Sequence, residues 1–415
     1  YITMSIPVLN EGYKNKGSLF LKAKNSYIFD KKKLIDLSFC AGSIILGHNH
    51  SVFKNAIKKF IKKDISNFAA PNIYAKNYSL KLKKNFKNSS KIIFCNSGTE
   101  AVIKILRIVR AISNKKKIIA VSGSWHGSVD QLLFTPNKKL QPNNLSSGLS
   151  TNDKKNLVFI PYNDIEKAKK ILNKNKKNIS CIIIEPVQGA LPIYKCKKYL
   201  KFLRKYSLKN NQILIFDEMI TGLRTRGSTL QNFFKINPDI SIFGKAYGGG
   251  LPIGIISISK KIELKLNKQK PKVFFGGTFS GNSLTTYVGM SVFNYIQKNK
   301  FAIFKKLNSL SFYFENELNF FFKKNKLDLK IYRFESLMRI IFTEKKIHDR
   351  LQRDFFEQNK FDNIKKFKKF LHQKNIYYSS SGLIFFSYSM SKKDVNYLIK
   401  TFKEGCLKYF GKTSK

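Results

Sequence analysis

The chain has 415 residues, 43% of them hydrophobic, so a large core can be buried without disulfide or metal staples. Lysine and arginine total 78 against 25 acidic residues, a net charge of +53 that would suit a nucleic-acid or anionic-surface binder. The lysines are spread along the whole chain, however, and no nucleic-acid signature stands among them. Lys, Asn, Ile and Phe share A/T-rich codons and are all abundant, so a biased composition is the favoured reading. Specific nucleic-acid binding is not expected, although salt-sensitive sticking to polyanions is.

No stretch approaches the ~18 apolar residues of a membrane span. The opening "YITMSIPVLN" lacks the basic start and apolar run of a signal peptide. Cys40, Cys95, Cys181, Cys196 and Cys406 are scattered without CxxC spacing, which predicts a reducing, cytoplasmic compartment and no metal site.

In chain order, "KIIFCNSGTEAVIKILRIVRA" (residues 91–111) reads as a strand, a turn and a helix, with Val102, Ile105, Leu106 and Val109 at helical spacing. "KIIAVSGSWHG" gives a second strand, "ISCIIIEPVQGALP" a third and "QILIFDEMITGLRTRG" a fourth; "ISIFGKAYGGG" and "LPIGIISIS" supply two more. Such continuous apolar runs suit parallel strands covered on both faces by helices. From about residue 300 the order changes to a long helix, strand-like "LKIYRF" and "LMRIIF", another helix, strand "GLIFFSYS" and a closing helix. This predicts an α/β chain: residues 1–55 joining a smaller domain, a large domain over 56–295, and a small α+β domain over 296–415.

Ligands of such sheets gather beyond the C-terminal strand ends. The polar punctuation falls there: Ser97-Gly98-Thr99, Trp125-His126, Glu185, Asp217-Glu218 and Lys245. Each has a plainer alternative. Ser97 and Thr99 can be simple helix caps or a phosphate cradle, and the local pattern suits both equally. Asp217 ends an apolar strand, where a carboxylate needs a partner: a salt bridge, a cap, or the protonated nitrogen of a pyridine ring. Trp125, the only tryptophan, can be core or can stack on a flat ring. Lys245 sits alone between an apolar strand and Gly248-Gly249-Gly250, where a lysine can lose its proton and form a Schiff base.

Together "NSGTEA", "GSWHG", "EPVQG", "DEMITGLR", "FGKAYGGGLPIG" and "GGTFSGNSL" resemble the successive motifs of class-III, fold type I pyridoxal phosphate aminotransferases. They are most similar to the glutamate-1-semialdehyde aminomutase branch, over roughly residues 35–345. The resemblance implies a mostly parallel sheet clothed in helices and pyridoxal 5'-phosphate as cofactor. It implies Lys245 as Schiff-base lysine and proton shuttle, and Asp217 as partner of the ring nitrogen. Ser97, Gly98 and Thr99 would hold the phosphate, Trp125 (beside His126) and Met219 would pack on the two ring faces, and Gln188, following Glu185, would lie near the phenolic oxygen. Thr278 would reach the phosphate of a neighbouring subunit, which implies a homodimer with shared sites. Small-molecule amino donors and carbonyl acceptors would be the partners, with no membrane.

Two departures bear on substrate. The branch carries an N-terminal serine and arginine that hold the substrate carboxylate, whereas the first arginine here is Arg107. The branch also carries a glutamate before the last strand, whereas no acid lies between Ile376 and Ser391. Lys14 or Lys16 could replace the arginine without its planar fork. Arg339 is a second candidate carboxylate ligand, with a structural ion pair the favoured reading. The expectation is therefore an aminotransferase acting on another substrate. Glutamate-1-semialdehyde aminomutase is the runner-up, and a basic binding protein on a dead enzyme fold is the remote alternative.

Overall fold

The structure, a computed structural model, describes residues 19–411. Its centre is a seven-stranded sheet in the order Lys91–Cys95, Gly254–Ile258, Ile240–Gly244, Ile213–Asp217, Ile179–Ile184, Lys117–Val121, Leu157–Ile160. All run parallel except Gly254–Ile258, which is antiparallel to both neighbours. The apolar run "GIISI" gave no sign of this, because a strand buried on both faces reads the same in either direction. The direction is set by the connection: only a short glycine-rich turn separates this strand from Ile240–Gly244, and a parallel return needs a long crossover.

Side-chain alternation sorts the sheet into two packed layers. Ile118, Cys181, Ile183, Ile213, Ile215 and Ile242 face the helix Gly98–Ser113 through Val102, Ile105 and Val109. Ile119, Ile182, Ile184, Leu214 and Phe216 face the helices Ile165–Asn175 and Lys197–Lys209 on the other side. Each such buried side chain stabilises by about 1.5–3 kcal/mol, so both layers are needed to hold five-residue strands. Among the described residues, no helix is long and apolar enough to cross a membrane.

The C-terminal part differs from the expected order in having a further helix, Arg350–Glu357, and a further short strand, Ile376–Tyr377. The helix Lys300–Lys324 is followed by an antiparallel three-stranded sheet of Lys330–Phe334, Leu337–Ile341 and Leu383–Phe385, backed by the helices Phe361–Gln373 and Lys392–Phe410. The N-terminal strands Lys22–Lys24, Tyr27–Phe29 and Lys33–Asp36 join this part, because Ile376–Tyr377 pairs in parallel with Ile35 and Asp36. Ser26 and Ser389 hydroxyls meet at 3.0 Å, and the Tyr27 hydroxyl donates to Asp394.

Between these parts lies a left-handed turn. Phe39, Cys40 and Ala41 have φ of 43°, 53° and 55°, and Gly42 follows at 85°. Three consecutive non-glycine residues in this region are costly, so neighbours must hold them there. Asp36 accepts from the Ser38 and Phe39 N–H groups at 2.7 and 2.9 Å and meets His48 Nε2 at 2.8 Å. From the other side, Arg224 Nε and Nη2 donate to Gly42 O at 3.1 and 2.9 Å.

Candidate active site

The strands Lys91–Cys95, Lys117–Val121, Ile179–Ile184, Ile213–Asp217 and Ile240–Gly244 deliver their C-terminal ends to one edge of the sheet. Lys245 follows the last of these directly, at φ 48°. Its Nζ makes no hydrogen bond or ion pair to another described residue. Burial pushes the ammonium down to about 8, against the pull of the Glu185 and Asp217 carboxylates; the Arg224 guanidinium lowers it further. A lysine so placed gives up its proton far more readily than an exposed one.

Asp217 is 4% exposed. Its Oδ2 meets His126 Nδ1 at 2.8 Å, and its Oδ1 accepts from the Met219 N–H at 3.0 Å. The partner that a buried carboxylate requires is thus His126, whose own Nε2 is buried with no partner. Glu185 accepts from the Trp125 N–H at 2.7 Å and the Gly189 N–H at 3.1 Å, fixing both loops that follow the second and third strands. Burial and the charge of Asp217 push Glu185 up to about 7.

Gln188 Nε2 donates to Ser122 O at 2.7 Å, and its Oε1 is buried without a partner. Trp125 is 48% exposed and is not a core residue.

Ser97 caps the helix Gly98–Ser113, its Oγ accepting from the Glu100 N–H at 3.1 Å. The Gly98 and Thr99 N–H groups belong to the first turn and have no intrahelical acceptor. Met219 packs over this turn: a Cβ on Gly98 would lie 2.7 Å from Met219 Cε, and one on Gly244 would lie 2.5 Å from its Sδ. Thr99 Oγ1 accepts from the Ser128 N–H at 3.2 Å.

Thr278 stands apart from this group. It is exposed and lines a cleft of about 510 Å³ with Phe68, Pro71, Asn72 and Phe94. Its neighbour Gly277 lies beside Glu100, where an added Cβ would be 3.0 Å from Oε1. Lys14 and Lys16 lie outside the described residues. The ion pair expected of Arg339 is not formed with any described acid: its Nη1 donates to Ser381 O at 2.7 Å, and its Nε is buried without a partner.

Two groups near Lys245 were not singled out from sequence. Arg224 is 1% exposed and bonds only neutral acceptors: Gly42 O, Ser336 Oγ at 3.0 Å and Phe386 O at 3.2 Å. Its position inside "DEMITGLR" was the available signal. Cys40, in the left-handed turn, lies near enough to Lys245 for the ammonium to oppose the rise that burial gives its thiol; nothing local in "SFCAGS" points to it.

The residues present fit a pyridoxal phosphate group. An unpaired lysine, an unpaired buried imidazole nitrogen behind Asp217, an amide oxygen on Gln188 left free to accept and free helix N–H groups are the unsatisfied polar groups that such a ligand would engage. Glycines 98 and 244 keep Met219 tight against the loop on which it would lie.

Comparison with known proteins agrees with the geometry. Residues 8–360 match the family described as aminotransferase class-III. A glutamate-1-semialdehyde 2,1-aminomutase of Methanosphaera stadtmanae is 34% identical over 271 residues, which are 65% of this chain and 63% of that protein. The chain therefore spans less than two thirds of that relative. The same-named protein of Thermodesulfovibrio yellowstonii is 31% identical over 384 residues, covering 90% of this chain and 88% of the relative. Among solved structures, an omega-transaminase from Sphaerobacter thermophilus superposes with a TM-score of 0.88 at 20% identity, over 96% of this chain and 93% of that one. A glutamate-1-semialdehyde aminomutase from Pseudomonas aeruginosa, in complex with PMP, gives 0.84 at 16% identity over 95% and 88%. With the family matched over most of its length and the same α/β fold, the chain belongs to the class-III aminotransferases.

Proposed function

We propose that the chain is a pyridoxal phosphate-dependent aminotransferase, moving an amino group between a small-molecule donor and a carbonyl acceptor. The observation that carries this reading is Lys245, a depressed, unpaired lysine at the strand end facing Asp217. When bound, the cofactor supplies an electron sink for the carbanion left by removal of a proton beside nitrogen. Lys245 would hold the cofactor covalently and, once displaced, move a proton through its Nζ. Asp217, braced by His126, would keep a positive ring nitrogen charged. Gly98 and Thr99 N–H groups would take the phosphate, Trp125 and Met219 the two ring faces, and Gln188 the phenolic oxygen. Glu185 would set the Trp125 loop rather than touch the ring.

The exposed Thr278, with exposed Phe274 and Phe279 around it, supports a homodimer in which Thr278 completes the partner's site. Five free cysteines suit a reducing compartment such as the cytoplasm. Borohydride trapping followed by peptide mass spectrometry tests the assignment. Lys245→Ala should lose both adduct and turnover with its fold intact, and an adduct mapped to another lysine would overturn it.

A second reading, glutamate-1-semialdehyde 2,1-aminomutase, is favoured by the names of the curated relatives. Against it stand the missing arginine before Arg107 and the missing acid between Ile376 and Ser391. Conversion of glutamate-1-semialdehyde should be poor, with a measurable half-reaction on another amine. Efficient 5-aminolevulinate formation by the purified protein would reverse the order of the two readings.

A further inference from the structure

Lys104 is 4% exposed, on the face of the helix Gly98–Ser113 that also buries Ala101, Ile105 and Ile108. Helical spacing asks for an apolar side chain there, and an ammonium in its place is costly unless it is paired. Nζ donates to Glu100 Oε1 at 2.5 Å and to Ser280 Oγ at 3.3 Å. Ser280 Oγ in turn donates to the same carboxylate oxygen at 3.3 Å.

Glu100 faces two ways. Its Oε2 accepts from the Asn96 N–H at 2.8 Å, which braces the turn that opens the helix. Its Oε1 faces the connection between Asn267 and Ser283, where a Cβ on Gly277 would stand 3.0 Å away. Burial would raise this carboxyl, but Lys104 and the Asn96 N–H hold it below its usual value.

One turn beyond Lys104, Arg107 Nη1 donates to Phe274 O at 2.7 Å. Residues 100, 104 and 107 share one face of a helix. Three side chains of one helix face thus hold a single stretch of loop, Phe274–Ser280, at both ends. Val273 and Phe275 add apolar contacts with the core beneath. Thr278 lies between the two held ends and is itself exposed. A long connection without regular structure samples many positions, whereas a hydroxyl aimed at another subunit must keep one.

We propose that Lys104, with Glu100 and Arg107, is a positioning residue that seats the loop Phe274–Ser280 on the helix Gly98–Ser113 and so fixes Thr278 for the site of the partner subunit. The Glu100–Lys104 pair then joins the turn that would take a chain's own phosphate to the loop that would serve its partner's. This rests on the shared-site homodimer proposed above, and the test separates the two.

Lys104→Met suits the apolar face and removes the charge. Holoenzyme is dialysed against graded pyridoxal phosphate, and the lysine-bound absorbance that remains is read. The half-saturating concentration should rise roughly tenfold or more, the loss expected when a hydrogen bond to a charged group is broken. A mixed dimer of Lys104→Met with Lys245→Ala, purified through two different tags, has one lysine-bearing site. That site takes its loop from the Lys245→Ala chain, whose Lys104 is intact, so its retention should return to the wild-type value. Arg107→Gln, a change at an exposed residue, should show a smaller loss with the same rescue, and serves if Lys104→Met does not fold.

Unchanged retention in both variants overturns the proposal. So does a weak site that persists in the mixed dimer, because the damage would then lie in the chain's own helix turn. Thr278→Ala paired with Lys245→Ala is run alongside. Recovery there but not with Lys104→Met removes the positioning role alone. No recovery in either pairing removes the shared-site reading, and this proposal with it.

Discussion

At the scale of single residues, the site works by holding charges where water would not leave them. Asp217 has one oxygen on His126 and the other on a backbone N–H, so its charge is fixed in position before any ligand arrives. Asp217→Asn keeps the shape and removes the charge. Proton removal in a single-turnover half-reaction should slow by about 3–4 kcal/mol of lost stabilisation, as for other preorganised electrostatic contacts; near-normal rates would refute the role. Glu185 offers a test that needs no substrate. Its folded value of about 7 stands above the ordinary 4.5, so the folded chain holds more protons than the unfolded one between these values. The stability this contributes is fully present below pH 4.5 and is lost as pH rises through 7. Glu185→Gln should flatten the dependence of Tm on pH across that window, and an unchanged slope would show that the group does not titrate there. Lys245 has the opposite sign. Its value of about 8 lies below 10.5, so its contribution to stability rises with pH between them.

At the scale of elements, the site depends on how closely backbones approach. A Cβ on Gly254 would stand 2.1 Å from the carbonyl oxygen of Ser97, so the antiparallel strand lies directly against the residue that caps the helix Gly98–Ser113. Gly254→Ala should cost roughly 1–3 kcal/mol of stability in urea unfolding and weaken cofactor retention. Unchanged retention would mean that the loop tolerates displacement. This approach also marks the limit of what the sequence reveals. Lys245 and Asp217 were legible because an apolar run ends on them, and the helix Gly98–Ser113 because its apolar residues recur at helical spacing. The direction of Gly254–Ile258 was not legible in its own residues, since a run buried on both faces reads alike either way; the signal lay in the short connection from Gly244. The left-handed turn at Phe39–Gly42 was hidden for another reason: it is held by Arg224, 182 residues away, and no local pattern records such a contact. Arg339 was noticed, but its lack of a described acidic partner could emerge only from the surroundings that the fold builds around it.

At the scale of the whole molecule, Thr278 is the residue whose position within one chain explains least. Within its own subunit it lines an open cleft. If it serves a partner, Thr278→Ala should lose cofactor without altering the chemistry of sites that keep it. Mixing that variant with Lys245→Ala should restore one complete site per mixed dimer. No recovery of cofactor-saturated activity, with subunit exchange confirmed, would end the shared-site reading. The N-terminal strands pose a different problem, one of timing. Ser26 bonds Ser389 across 363 residues, and Ile35 pairs with Ile376. At about 5–20 residues per second, a ribosome makes the second partner roughly 20–70 s after the first. Throughout that interval the first strands present an unpaired edge, while the large sheet, whose strands all lie between Lys91 and Ile258, can already close. The nascent chain is thus left with a finished centre and an open beginning, and the segment Lys22–Asp36 is where a chaperone would have most to shield.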